Sequence, residues 1–348
     1  MDTLTQALLG GAVGYAVAGK VSPRKALLWG AAVAVLPDLD VFIPYASDLD
    51  AVTMHRSWSH SWLVQSAVAP ILAFLAHKKD HTFDLKTWWW LIWLALVTHS
   101  ALDALTVYGT QLFWPFMPPP VSIGSVFIID PVYSIPLLAG FIAIVLRPRS
   151  LTSRRLMLSG FVFSCAYLTA GLMTQNWVVQ QTKVALQQQQ IKYDKILVTP
   201  TPFNIFLWRT LVINDEQYYQ GFHSVFDHKE TIHFSHYNRQ SELKPLLKDV
   251  HALQQLDWFS HGFYALEQKQ HKIIARDLRM GIEPTYFFHF VLAEQQQGKV
   301  SAIVPYRIRG EHISVQDLRR FWRRIWDGKV QLNYHFTPIT NETAVKGL

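Results

Sequence analysis

The sequence predicts an α-helical membrane bundle of about six segments followed by a soluble α+β domain. Three observations carry that prediction. Hydrophobic residues make up 50% of the 348 residues and charged ones 16%, with a mean hydropathy of +0.11. That is too apolar for an ordinary soluble chain and too polar for one lying wholly in a bilayer. The long apolar stretches all fall in the first half. Between them, basic residues alternate from loop to loop as topology signals do.

The apolar segments cover roughly residues 4–19, 26–43, 61–77, 88–105, 127–146 and 156–174. Several approach the ~20 residues that cross a bilayer; the first and third are short enough to tilt or re-enter. The first lacks a basic leader, carries Asp2 and is followed by Lys20, so it does not read as a signal peptide. Trp88-Trp89-Trp90-Leu91-Ile92-Trp93-Leu94 is apolar on every face, and its tryptophans suit a membrane interface.

Loop 1–2 holds Lys20, Arg24 and Lys25; loop 3–4 holds Lys78, Lys79 and Lys86; loop 5–6 holds Arg147, Arg149, Arg154 and Arg155. Loop 2–3 has only Arg56, and loop 4–5 (residues 106–126) has neither Lys nor Arg. The positive-inside rule therefore places odd-numbered loops in the cytoplasm. The even loops, the N-terminus and everything after segment six are expected outside, in a bacterial-type inner membrane. The net charge of +7 belongs largely to these topology signals; no helix-turn-helix or basic nucleic-acid motif stands out.

Residues 1–175 thus form the membrane-embedded unit. Residues 176–195, with the run Gln187-Gln188-Gln189-Gln190, read as a helical stalk, and 196–348 as the extramembrane α+β domain. Strand-like runs there are Leu207–Ile213, Thr231–Phe234, Gly262–Glu267, Lys272–Ala275, Tyr286–Leu292 and Val300–Arg307, with a helix over Leu318–Trp326.

Four groups of side chains can bind a metal. Asp38 and Asp40 end segment two, and His55 and His60 lie in loop 2–3. His99 and Asp103 sit four apart in segment four, and Asp130 opens segment five before Pro131. Each has a plainer reading: turn or capping carboxylates, loop histidines, an internal His–Asp hydrogen bond, a helix start. The i, i+4 pair stands out because it shares one helix face and ionisable groups in a membrane helix are costly unless paired or functional. The charge-derived topology puts all four groups at one depth on the outer face. With one cysteine, Cys165, the ligands must be imidazole and carboxylate, which suit zinc first, with manganese or iron as alternatives. The surplus of ligands leaves room for two divalent ions. Arg56, beside these ligands, is a candidate for holding a substrate phosphate, with Asp130 a further catalytic candidate; Arg276 and Arg279 are candidates for an anionic head group. His223, His228, His233 and His236 read as surface histidines.

Met1-Asp2-Thr3-Leu4-Thr5-Gln6-Ala7-Leu8-Leu9-Gly10, Pro37-Asp38-Leu39-Asp40, His55-Arg56 with His60-Ser61, and His99-x3-Asp103-x2-Thr106-x2-Gly109 together resemble the YdjM-type family over about residues 1–175. That resemblance implies an inner-membrane, metal-dependent hydrolase, a family also described as LexA-binding. Many members carry His where this chain has Gln6, so Gln6 stays outside the ligand list. The expectation is a membrane-bound metal-dependent hydrolase acting on a phosphoester or other ester of a lipid-linked or envelope substrate. The rival readings are a metal or ion transporter and a membrane-tethered regulatory protein.

Overall fold

The computed structural model describes residues 1–227, 231–297, 299–308 and 314–332. All six apolar segments are helical. They correspond to α1 (Thr3–Ala18), α2 (Pro23–Val35), α4 (Trp62–Lys79), α5 (Leu85–Ala104), α6 (Pro131–Leu146) and α7 (Leu151–Gln188), with a short α3 (Asp48–Met54) inside the loop between α2 and α4. Asp2, Ser61, Asp84 and Asp130 cap α1, α4, α5 and α6 by accepting backbone N–H bonds, and Pro stands in the first turn of α2 and α6.

Only α7, 38 residues long, is by itself long and apolar enough to cross a membrane among the described residues. The stretch Asp48–His60 and α4 meet that test together, bent by 52°, while α1 and α6 are apolar but shorter. The α5 helix reaches 20 residues but carries four tryptophans and ends on His99 and Asp103. The bundle exposes an apolar belt that a water-soluble core would bury: Ile71, Ile135, Leu146, Val162 and Met173 are each 60–70% exposed.

Close backbone approach fixes the first helix pair. A Cβ on Gly10 would lie 2.4 Å from the Gly30 carbonyl oxygen, and one on Gly14 would lie 2.3 Å from that of Ala26. These two glycines, four apart on α1, let α1 and α2 pack at backbone contact.

The loops sort to opposite ends of the bundle. At one end Arg24 donates to the Val145 carbonyl (2.8 Å), and Lys25 bonds Asp80 (2.8 Å) and Thr82 (2.6 Å). The Lys25 hydrogen bond, with those from Thr82, holds the Asp80 carboxyl down to about 2. At the other end sits the C-terminal domain. Its first sheet is antiparallel in the order β1 (Lys195–Pro200), β2 (Leu207–Ile213), β3 (Gln217–Ser224), β4 (Ser235–Asn238). A second runs β10 (Lys299–Ile308), β9 (His289–Gln296), β6 (Lys272–Asp277), β5 (Tyr264–Lys269), with a two-residue ribbon of β7 (Gly281–Ile282) and β8 (Thr285–Tyr286). Two helices, α8 (His251–Ser260) and α9 (Val315–Trp326), complete it. Leu49 of α3 and Tyr108 join the core of α8, β5, β6 and β9, while Val198, Ile205 and Trp208 join that of α1, α6 and α7. The two halves therefore share apolar cores.

One expectation needs correcting. The strand expected over residues 231–234 is not formed; the partner of β3 is β4, Ser235–Asn238, paired from Gln217↔Asn238 to Gln220↔Ser235. The expected helical stalk is the continuation of segment six: α7 runs unbroken to Gln188, and β1 begins at Lys195.

Candidate metal centre

Each contributing segment ends at the same place for a local reason. Pro37 opens a 3-10 turn, Leu36–Phe42, at the end of α2, which carries Asp38 and Asp40. A second 3-10 turn, Trp58–His60, precedes α4 and presents His60. The last turns of α5 supply His99 and Asp103. Gln65 of α4 ties these pieces together, donating to the Ser59 carbonyl (2.9 Å) and to the Ser100 hydroxyl (2.7 Å).

Asp38, His60, His99 and Asp103 each aim one ligand atom at a common point, all within 4.8 Å of one another. The two imidazole Nε2 atoms stand 3.0 Å apart. His60 Nε2 is 3.5 Å from Asp38 Oδ1 and 3.2 Å from Asp103 Oδ2, and His99 Nε2 is 3.5 Å from both. For metal–ligand bonds of about 2.0–2.1 Å, a tetrahedron has edges of about 3.3–3.4 Å. His60, His99 and Asp103 are fully buried, and Asp103 Oδ2 has Arg56 Nε 3.1 Å away but no well-aligned hydrogen bond. Such a group of lone pairs out of water is costly unless a cation completes it, so the donor set fits a divalent metal.

The neighbouring residues prepare His60 for that role. Ser59 Oγ donates to Asp40 Oδ2 at 2.5 Å and lies 2.9 Å from His60 Nδ1. With its proton committed to Asp40, the hydroxyl accepts from Nδ1–H, leaving the Nε2 lone pair free for a ligand. Asp40 also accepts from the Arg56 backbone N–H (3.0 Å) and pairs with His55 Nδ1 at 2.6 Å.

The sequence-based ligand list therefore divides. Asp38, His60, His99 and Asp103 converge; Asp40 and His55 bond each other beside them. Among the described residues there is one such group of four, and the second ion has no group of its own. Arg56, buried and with a left-handed φ of 63°, sets Nε 3.1 Å from Asp103 Oδ2 and Nη1 3.3 Å from Thr106 Oγ1. Its guanidinium lies 4.8 Å from the centre of the Tyr108 ring. It pairs with the buried Asp103, one of the four converging residues. Asp130 is elsewhere: Oδ1 caps α6 through Val132 and Tyr133, and Oδ2 accepts from the Tyr167 hydroxyl at 2.8 Å.

Arg276 and Arg279 are likewise not among the converging residues. Arg276 lies between Glu267 (3.9 Å) and Glu283 (3.8 Å), and Arg279 forms a buried pair with Asp277 at 2.7 Å. Of the histidines read as surface residues, His233 and His236 are exposed, but His223 is buried, with Nδ1 3.4 Å from Asp227. His228 lies outside the described residues.

Sequence reasoning missed Ser59 and Gln65, whose types carry no metal signal, and had Thr106 only as a motif residue without a role. Gln6 is in the site but not among the four ligands: its Nε2 donates to Asp103 Oδ1 (2.9 Å), as does the Met1 amino group, and to the His99 carbonyl (3.3 Å). Beside the centre, a groove of about 240 Å³ runs from Asp40 and Ser59 along Leu36, Leu39, Ile43 and Val68.

YfhP of Bacillus subtilis (strain 168), itself uncharacterized, is 25% identical over 231 residues, covering 64% of this chain and 68% of its own. The inner membrane protein YbcI of Escherichia coli (strain K12) is 30% identical over 112 residues, 32% of this chain and 64% of YbcI. No solved structure matches. The model of the family described as YdjM inner membrane protein matches residues 1–178, which hold all four converging ligands, and the chain belongs to that family.

Proposed function

We propose that this chain is a membrane-bound metal-dependent hydrolase acting on a phosphoester or other ester of a lipid-linked or envelope substrate. The observation that carries this reading is the convergence of Asp38, His60, His99 and Asp103 on one buried point. When bound there, a divalent cation supplies Lewis-acid polarisation of a phosphoryl or acyl oxygen and lowers the pKa of a water. The protein's own contributions follow from the contacts. Asp40 and Ser59 fix the His60 tautomer, Arg56 offsets the charge of Asp103, and Gln6 holds its other oxygen.

Ligand number constrains the metal. Four protein ligands fill a tetrahedral zinc ion, whereas a hydrolytic centre keeps a position open. The reading therefore requires an ion that accepts five or six ligands, such as manganese(II), iron(II) or an expanded zinc. A lipid-linked substrate is favoured by the adjacent groove, whose apolar wall is continuous with exposed Leu39 (49%), Val41 (63%) and Phe42 (80%). Hydrocarbon can enter it sideways while the polar group approaches Ser59 and Asp40. Hydrolysis is favoured over transport because the ligands cluster at one end of the bundle, beneath the C-terminal domain, and do not mark a path through it. That domain and the even loops are proposed to lie outside the inner membrane.

The test is a screen of purified full-length protein, loaded in turn with zinc, manganese or iron, against phospholipids, polyprenyl phosphates and acyl esters. Turnover that disappears in Asp38→Asn supports the proposal. Turnover that survives both Asp38→Asn and His99→Ala, or none with any metal, contradicts it.

A further inference from the structure

Between the two halves, with none of the four converging residues in its lining, lies a second cavity of about 330 Å³. Its wall is almost wholly apolar, including Val126, Phe127, Met280, Ile282 and Phe288, yet three arginines line it: Arg209, Arg279 and Arg307. Their bonding leaves positive charge unbalanced. Arg209, buried to 2% exposure, bonds only neutral acceptors: Gln220 Oε1 (2.9 Å), the Leu278 carbonyl (2.8 Å) and the Tyr286 hydroxyl (3.2 Å). The Arg307 guanidinium bonds only the Phe287 carbonyl (2.8 Å from Nη2). Among the described residues no carboxylate lies within ion-pair reach of either guanidinium.

Arg279 adds an unmet donor. Its Nε and Nη2 are taken by Asp277, but Nη1 is buried and has no partner. An unmet guanidinium N–H in an apolar wall is costly, and an anion oxygen is the acceptor that best relieves it. A free inorganic anion would leave the rest of the wall bare. The ligand that matches both features has an anionic head on a hydrocarbon chain. Its route in is also apolar: Ile129 and Phe287 line the cavity while remaining 48% and 40% exposed, and Ile129 directly precedes the cap of α6.

We infer that this cavity is a binding site for a single-chain anionic amphiphile, its carboxylate or phosphate held by Arg209, Arg279 and Arg307 and its chain by the apolar wall. The inference stands apart from the hydrolase reading, since none of these residues touches the four metal ligands.

The experiment measures thermal midpoint and saturation binding for the purified full-length chain with oleate, oleoyl lysophosphatidate, oleyl alcohol and inorganic phosphate. Oleate or lysophosphatidate should bind once per chain and raise the midpoint, and the tighter of the two identifies the head group. Oleyl alcohol and phosphate should do neither. Arg307→Gln, at an exposed position, should weaken binding about tenfold, the worth of one charge-assisted hydrogen bond; Arg209→Gln should do the same if it folds. Equal binding of oleyl alcohol and oleate, a response to phosphate alone, or undiminished oleate affinity in Arg307→Gln overturns the inference.

Discussion

Ser59→Ala tests how the metal centre is prepared. The substitution deletes one oxygen that now links Asp40, at 2.5 Å, to His60 Nδ1, at 2.9 Å. Without it the nearest carboxylate oxygen to Nδ1 is Asp40 Oδ2 at 3.7 Å, too far for a hydrogen bond. The His60 ring keeps its packing but loses the contact that keeps Nε2 free of a proton. Removing such an orienting partner of a metal-bound histidine costs about 10–100-fold in metal affinity, or about 1.4–2.7 kcal/mol. The assay is competition of the metal-free protein against a fluorescent chelator, with thermal unfolding to establish that the variant is folded. Ser59→Thr keeps the hydroxyl and should bind as the natural protein does. A folded Ser59→Ala protein with undiminished affinity would refute the reasoning.

Further outcomes follow from the same contacts. His55→Ala should retain about one metal ion per chain by elemental analysis, because His55 bonds Asp40 and is not among the converging ligands; a fall to zero would put His55 back in the ligand set. Metal retention should decline as the solution is acidified, since protons compete with the ion for the imidazole and carboxylate ligands; dialysis at a series of pH values followed by elemental analysis reads this directly. In the C-terminal domain, burial, with the nearby Arg276 and Arg307 charges, lowers His289 from 6.5 to about 4. The unfolded state then binds the proton first, so that part of the stability is complete above about 6.5 and is lost progressively down to about 4; His289→Asn should flatten the unfolding midpoint over that window. Gly10→Val should destabilise the bundle by at least about 1–3 kcal/mol, because its Cβ would lie 2.2 Å from that of Ala34; an unchanged midpoint would contradict the close α1–α2 contact.

The sequence made the helices legible because long apolar runs bounded by Pro, Ser and Asp caps have few other solutions. The site was legible as a set of residue types but not as a geometry. Asp38 and Asp40 read as a pair of ligands, yet they lie on a 3-10 turn, where residues two apart point about 120° away from each other. One therefore faces the imidazoles and the other faces Ser59 and His55. The polar work around the ligands falls to Ser59, Gln65, Gln6 and Thr106, residue types too common to signal anything without their partners. In the C-terminal domain, β3 escaped notice because Gln-Tyr-Tyr-Gln-Gly-Phe-His-Ser lacks aliphatic alternation, although most of it is buried against neighbours. The run Thr231–Phe234 carries the β-branched signal, yet the strand that pairs begins one residue later.

The central claim is that four side chains from three separate segments hold one metal. Elemental analysis of the purified full-length protein, beside Asp38→Asn and His99→Ala, tests it most directly. The account predicts about one divalent ion per chain in the natural protein. Each lost ligand should remove about a quarter of a binding energy of order 10–16 kcal/mol, enough to strip the ion on dialysis. Folded variants that keep a full equivalent of metal, or a natural protein that takes up none, would contradict it.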